Sequence, residues 1–140
     1  MSDSPFAGTW TYRSLLNDPE LDTDFDKLEF GRGTLVITTL SSDTLGGTIG
    51  GPGWSLNLHG SIAYGSPAQV RFQGRGLVGG EEWIYDYIGW LVPVWPNSND
   101  TLQTDAIVGS VVRTIPHTGG APGTVAPAGV VASFYAVRVE

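Results

Sequence analysis

The segment from residue 81 to residue 90 (Glu-Glu-Trp-Ile-Tyr-Asp-Tyr-Ile-Gly-Trp) carries the side chains best suited to ligand binding or proton transfer. Side chains alternate between the two faces of an extended strand, so Trp83, Tyr85 and Tyr87 share one face. Rigid rings supply apolar contact area and phenols supply directional hydrogen bonds, so this face suits the wall of a ligand cavity. The alternative interpretation is ordinary aromatic packing between neighbouring strands.

Asp86 lies on the opposite face of this segment, between two isoleucines. A buried carboxylate needs a cationic partner, for which Arg71, Arg75 and Arg113 are the candidates, or its pKa rises. A structural ion pair is the favoured interpretation, and a general acid or base is the alternative.

The two histidines of the chain fall in different surroundings. His59 lies in a predicted strand and shares one face with Asn57 and Ser61, whereas leucines and an isoleucine occupy the other face. Either the aliphatic face forms the core and His59 points outward, or Asn57, His59 and Ser61 face a cavity as ligand contacts or a proton-transfer group. His117 follows a proline in a loop and is predicted to be solvated.

A second polar row lies on the strand that precedes the aromatic segment. Arg71, Gln73 and Arg75 alternate along one face. They could hold an anionic ligand group such as a carboxylate, although such a row is more often the solvent face of a sheet.

Short β-branched or aromatic runs separated by Gly, Pro, Asn and Asp clusters predict the elements that position these side chains. The predicted strands span residues 8–16, 34–40, 45–49, 54–64, 68–77, 82–94, 106–115 and 130–139. One helical pattern interrupts them at residues 18–30, where Leu21, Phe25 and Leu28 are spaced by four and three, and a loose Gly/Pro stretch covers residues 116–128. The chain is therefore predicted to be all-β, an antiparallel up-and-down barrel of about eight strands with one short helical insert. A sandwich of two sheets is the alternative.

The first and last predicted strands carry a family resemblance. The first contains Gly-Thr-Trp at residues 8–10, and the last contains Arg138. This pattern resembles the calycin group, the lipocalins and avidins, whose first strand opens with Gly-X-Trp. The resemblance implies a barrel in which Arg138 lies across Trp10 and closes one end, because a guanidinium over an indole forms a cation–π contact. Avidins bind biotin, but we do not infer biotin binding from this resemblance.

Composition excludes several function classes. The 140 residues contain no cysteine and have a formal net charge of −7, which removes thiolate chemistry and opposes binding to nucleic acid. The acidic run at residues 18–29 does not match a calcium loop, because Lys27 or Thr23 falls where that loop requires glycine. We therefore predict one domain over residues 1–140, no metal and no cofactor. The start of the sequence resembles no secretory signal and no apolar run is long enough to span a membrane, so the expected location is the cytoplasm.

These patterns predict a protein that binds an apolar or aromatic small molecule in a barrel cavity. Contacts are expected from a set of strand residues that comprises Trp83, Tyr85, Tyr87, Asn57, His59, Arg71 and Gln73. The alternative is a cofactor-independent isomerase, cyclase or lyase that uses the same cavity, with His59, Asp86, Tyr85 and Tyr87 as candidate catalytic groups. Apolar outer faces would also allow a homo-oligomer.

Overall fold

Antiparallel strands close into a barrel in the computed structural model, which describes residues 4–95 and 103–139. In chain order the elements are β1 (Gly8–Leu16), α1 (Phe25–Leu28), β2 (Glu29–Thr39), β3 (Thr44–Gly51), β4 (Trp54–Ala63), β5 (Gln69–Val78), β6 (Glu81–Val92), β7 (Ala106–Arg113), β8 (His117–Thr118), β9 (Val125–Ala126) and β10 (Val131–Arg138). Each strand from β1 to β7 pairs with the next, and β10 lies between β7 and β1, so eight strands close the barrel. The predicted all-β, up-and-down barrel is confirmed.

Alternation along each strand decides which side chains face the barrel interior. In β4, Leu56, Leu58 and Ile62 are buried, whereas Asn57, His59 and Ser61 are exposed. The interpretation that placed the polar trio of β4 inside the barrel is therefore wrong. Burial of the aliphatic face removes more apolar area from water, and it leaves the polar groups hydrated.

One end of the barrel, here called the base, is closed by the first and last strands. Trp10 is fully buried, and the Arg138 guanidinium carbon lies 4.2 Å from the centroid of its ring. Arg138 Nε also donates to both carboxylate oxygens of Asp105, at 2.9 and 2.8 Å. The contact between Arg138 and Trp10 that the resemblance implies is therefore present.

The middle of the barrel is filled with aromatic rings. Tyr87 stacks on Phe72 with a centroid distance of 4.7 Å, and it meets Tyr12 and Phe134 edge-on at 6.1 and 5.9 Å. Aromatic pairs prefer such offset and edge-to-face arrangements. This ring cluster fills the barrel between the base and the opposite end.

The helical insert is shorter than predicted. α1 covers residues 25–28, and its Asp24 cap accepts a hydrogen bond from the amide of Asp26. Leu21 and Phe25 are 95% and 64% exposed, so their helical spacing buries no apolar face. Residues 29 and 30, predicted as the end of the helical insert, belong instead to β2. Residues 31–33 also belong to β2, and this first part of the strand pairs with the second half of β1. No helix in the described part of the chain is both long and apolar enough to cross a membrane.

Candidate ligand-binding site

A cavity of about 200 Å³ opens at the end of the barrel opposite the base, here called the mouth. At the mouth β1, β3, β5 and β7 end, and β2, β4, β6 and β10 begin. The residues that line this mouth cavity are mostly aromatic: Tyr12, Ser14, Phe30, Gly31, Trp54, Trp83 and Tyr85. The cavity floor is the Tyr12 ring, which belongs to the ring cluster below.

Strand alternation positions most of this wall. Tyr12 and Ser14 follow Trp10 on the inward face of β1, and both are buried. Trp54 begins the inward row of β4, and Trp83 and Tyr85 begin that of β6. These side chains are held on strands rather than loops, so the sheet fixes their positions.

Phe30 reaches the cavity because of a β-bulge. Ser14 pairs with Gly31 and Leu15 pairs with Glu29, so Phe30 is an extra residue opposite β1. A bulge re-aims the side chains around it. Here it lets the Phe30 ring meet Tyr85 edge-on at 6.0 Å while Glu29 turns outward to pair with Arg13 and Arg32.

A chain of hydrogen bonds runs along the rim of the mouth cavity. Arg113 Nε donates to the Tyr85 hydroxyl oxygen at 2.9 Å, and the Tyr85 hydroxyl lies 2.7 Å from His117 Nε2. His117 Nδ1 lies 2.9 Å from the carbonyl oxygen of Thr118. Because a carbonyl only accepts, Nδ1 is the donor in this contact, and in the neutral form of the ring Nε2 accepts from the Tyr85 hydroxyl. These hydrogen bonds run in one direction along the rim, from Arg113 through Tyr85 to His117, and are together called the rim relay.

The β8–β9 segment brings His117 to this rim. The His117 ring stacks on the Trp83 ring with the centroids 4.0 Å apart and the planes at 11° to each other, and His117 is 7% exposed. Hydrogen bonding to the Thr118 side chain, together with its amide, which donates to the Glu81 carboxylate at 2.7 Å, holds the pKa of Glu81 below its usual value. The prediction of a solvated His117 is therefore wrong, since the segment folds back onto β6.

Burial and charge act in opposite directions on Tyr85. Burial raises the pKa of its phenol, and the Arg113 guanidinium opposes that rise without cancelling it. Tyr85 is therefore a neutral hydroxyl at physiological pH. Its oxygen accepts from a cation, which polarises the O–H group that it presents to His117.

Arg113 places a positive charge beside the cavity wall. Its guanidinium carbon lies 4.9 Å from the Phe30 ring centroid and 5.7 Å from that of Tyr85, and its Nη1 donates to the carbonyl of Pro127. Within residues 4–95 and 103–139, the ion pairs of the structure do not include Arg113. The mouth therefore combines an aromatic wall with a half-buried cation that has no carboxylate partner in the described chain.

The aromatic face predicted on β6 points into the barrel. Trp83 and Tyr85 line the mouth cavity, whereas Tyr87 is 5% exposed and packs one layer lower, in the ring cluster. The upper residues of this face therefore border free space, whereas Tyr87 takes part in aromatic packing between neighbouring strands.

The other predicted contacts lie outside the barrel. Asn57, His59, Arg71 and Gln73 point away from the interior, so they do not share a cavity with Tyr85. Several outward side chains of β4 to β7, among them His59, Arg71 and Gln73, border an open depression of about 490 Å³, here called the outer groove. The structure therefore separates the predicted polar contacts from the predicted aromatic ones by the thickness of the sheet.

Asp86 also faces outward and is half-buried. Its carboxylate accepts from Gln73 Nε2 at 3.0 Å and from the Thr114 hydroxyl at 2.7 Å. Neutral donors satisfy it, so the predicted ion pair with an arginine is not formed, and the Arg75 side chain instead pairs with Glu82 at 2.9 Å.

Several site residues escaped the sequence-based prediction. Strand alternation could have indicated two of them. Tyr12 lies two residues after the buried Trp10, and Trp54 lies two residues before the buried Leu56, so both face inward. The sequence pattern indicates Arg113 only as a possible partner for Asp86. Nothing local to Phe30 or His117 indicates the bulge or the fold-back that brings them to the mouth.

Comparison with models of known families, with curated proteins and with solved structures gives no match. In the described part of the chain, no three His, Asp or Glu side chains gather as a metal-binding group.

Proposed function

We propose that this protein binds an apolar or aromatic small molecule in the mouth cavity. The observation that carries the proposal is a hollow of about 200 Å³ walled by Tyr12, Phe30, Trp54, Trp83 and Tyr85. An apolar cavity of about 150 Å³ is known to hold a benzene molecule. The mouth cavity therefore has room for a single ring with small substituents.

The size of the cavity also limits the ligand. Pockets for drug-sized molecules run from about 300 to 1,000 Å³, well above the space available here. The ring cluster around Tyr87 blocks any deeper penetration. We therefore expect ligands with two fused rings to bind more weakly than ligands with one.

A plugged variant tests the proposal. A Cβ atom added at Gly31 would lie 3.3 Å from Ser14 Oγ and 3.6 Å from Tyr12 Cε2, so it would project into the cavity. Gly31→Leu should fill the hollow with an isobutyl group, whereas the matched control Gly31→Ala should leave most of it free.

Binding is measured by titrating a panel of single-ring compounds while following tryptophan fluorescence, with calorimetry as a second readout. We expect wild type and Gly31→Ala to bind at least one compound with Kd below about 100 μM, equivalent to about −5.5 kcal/mol, and folded Gly31→Leu to lose that binding. No binding to wild type, or equal binding to all three proteins, would refute the proposal. If Gly31→Leu does not fold, a larger aliphatic side chain at Ser14 provides the second plug.

A second candidate function follows from the rim relay. Tyr85 donates to His117 and accepts from Arg113, an arrangement that can pass a proton to or from a bound molecule. This supports the alternative of a cofactor-independent isomerase, cyclase or lyase, with Tyr85 rather than His59 or Asp86 as the proton-transfer group. Incubation of each bound compound followed by NMR tests it. Turnover should disappear in Tyr85→Phe while binding persists, and a compound that stays unchanged in every case counts against catalysis.

We also propose a calycin-type relationship and self-association of the barrel. The closed eight-stranded barrel and the Arg138–Trp10 contact support a calycin-type relationship.

Self-association is supported by a row of apolar side chains on the outer surface, where Trp90 lies opposite Val108 and Val108 lies opposite Tyr135, each more than a third exposed. The mass in solution at two concentrations tests the second proposal, and a monomer at both would exclude it.

A further inference from the structure

We infer that the ligand of the mouth cavity carries an anionic group, a carboxylate on a single aromatic ring, and that Arg113 binds it. The inference rests on the proposed function and adds the chemical class of the ligand. The observation that supports it is the positive charge of Arg113 at the rim of the cavity.

Arg113 differs from the other arginines of the barrel in its surroundings. Among the described residues, four arginines pair with a carboxylate: Arg13, Arg32, Arg75 and Arg138. Arg71 has no such pair either, but it is exposed and hydrated. Arg113 is half-buried against the rings of the cavity wall and has no such pair there. A cation that loses part of its hydration without gaining an anion is costly, so this site favours an anion supplied from outside the chain.

The guanidinium still has donors to offer. Of its five N–H groups, Nε–H is used on Tyr85 and one Nη1–H on the Pro127 carbonyl, and no hydrogen bond from Nη2 is found in residues 4–95 and 103–139. Both protein contacts fix the plane of the group. A carboxylate matches the remaining edge of a fixed guanidinium better than a neutral amide does, because the bonds are charge-assisted.

Arg113 does not itself line the mouth cavity, but it contacts two residues that do. Phe30 and Tyr85 line the cavity and lie against Arg113, so a ring among the aromatic side chains would bring a substituent at the rim close to the guanidinium. The chain as a whole is acidic, with a formal net charge of −7, so general attraction of anions to the surface would not produce such binding. Selectivity for an anion would have to arise locally, at Arg113.

Calorimetric titration with benzoate and with its neutral counterpart benzamide tests the inference. Wild type should bind benzoate about tenfold or more tightly than benzamide, and Arg113→Met should lose that difference while still binding benzamide. Arg71→Met is the matched control, because it removes the same charge from the exposed outer face of β5 and should keep the preference.

The outcomes separate the two proposals. Binding of benzamide as tight as that of benzoate, or a preference that survives in folded Arg113→Met, overturns the inference and leaves the proposed function standing. Binding of neither compound to wild type, together with failure of the wider single-ring panel, overturns the proposed function itself. If Arg113→Met does not fold, Arg113→Lys is tested instead. It should weaken benzoate binding, because an ammonium group lacks the planar pair of N–H donors that a guanidinium presents to a carboxylate.

Discussion

Removal of the Arg138 side chain is the perturbation whose effect the structure specifies best. The guanidinium lies 4.2 Å from the Trp10 ring centroid, pairs with Asp105 at 2.8 Å, and donates to the carbonyl oxygens of Ala7 at 2.9 Å and of Pro5. It thus ties the last strand to the chain that enters the first. Arg138→Ala removes all of these contacts at once and leaves Asp105 without this partner.

The magnitude follows from the contacts. A cation–π contact contributes about 0.5–2 kcal/mol, and a hydrogen bond to a charged group about 1.5–3 kcal/mol. The side chains of Arg138 and Asp105 are 22% and 26% exposed, so water recovers part of this energy and the pair lies well below the value of a buried ion pair. We expect Arg138→Ala to lower the free energy of unfolding by about 3 kcal/mol, which for a chain of this length lowers Tm by about 10 °C.

Urea unfolding followed by circular dichroism measures the loss, and differential scanning calorimetry provides Tm. Arg138→Lys should lose roughly half as much, because it keeps the charge over the indole but cannot span both carbonyls. The control Arg71→Ala removes an exposed arginine from the outer face of β5 and should change stability by less than about 0.5 kcal/mol. If Arg138→Ala loses less than about 1 kcal/mol, or no more than the control, the base of the barrel does not depend on this contact and the reasoning is refuted.

Two further predictions concern the interior. Gly89→Ala should destabilise the barrel by about 1–3 kcal/mol, because its Cβ would lie 2.8 Å from Ile107 Cγ2 and 3.1 Å from Phe134 Cζ. Gly120→Ala, which meets nothing within 4 Å, is the control, and equal urea midpoints for both variants would count against tight packing. Stability should also fall as pH rises above about 10. Burial raises the pKa of Tyr12, Tyr85 and Tyr87 in the folded chain, so unfolded phenols release protons that folded ones retain. Urea unfolding at pH 8 and pH 11 measures the fall, which should be smaller in Tyr87→Phe, and a stability that is flat over this range would contradict the burial argument.

The barrel could be predicted from sequence because its determinants are local. A period of two in polarity, punctuated by turn residues, marks each long strand, and Trp83 and Tyr85 lie on the predicted face of β6. The pairing of Trp10 with Arg138 followed from a family resemblance rather than from any local pattern.

The rest of the site depends on contacts between distant parts of the chain. Phe30 enters the cavity through a bulge that exists only when β2 is paired with β1. His117 is buried by stacking on Trp83 and by a hydrogen bond to Tyr85, more than thirty residues earlier in the chain. The polarity pattern of β4 indicated that His59 faces either the solvent or the barrel interior. The local sequence could not decide between these two orientations, and the structure places His59 on the outer face.

A crystal structure of the protein soaked with benzoate tests the central claim most directly. The proposal predicts the benzoate ring in the mouth cavity, among Trp54, Trp83 and Tyr85, with its carboxylate on Arg113. Benzoate found in the outer groove beside His59 and Arg71, with the mouth cavity unchanged, would contradict it.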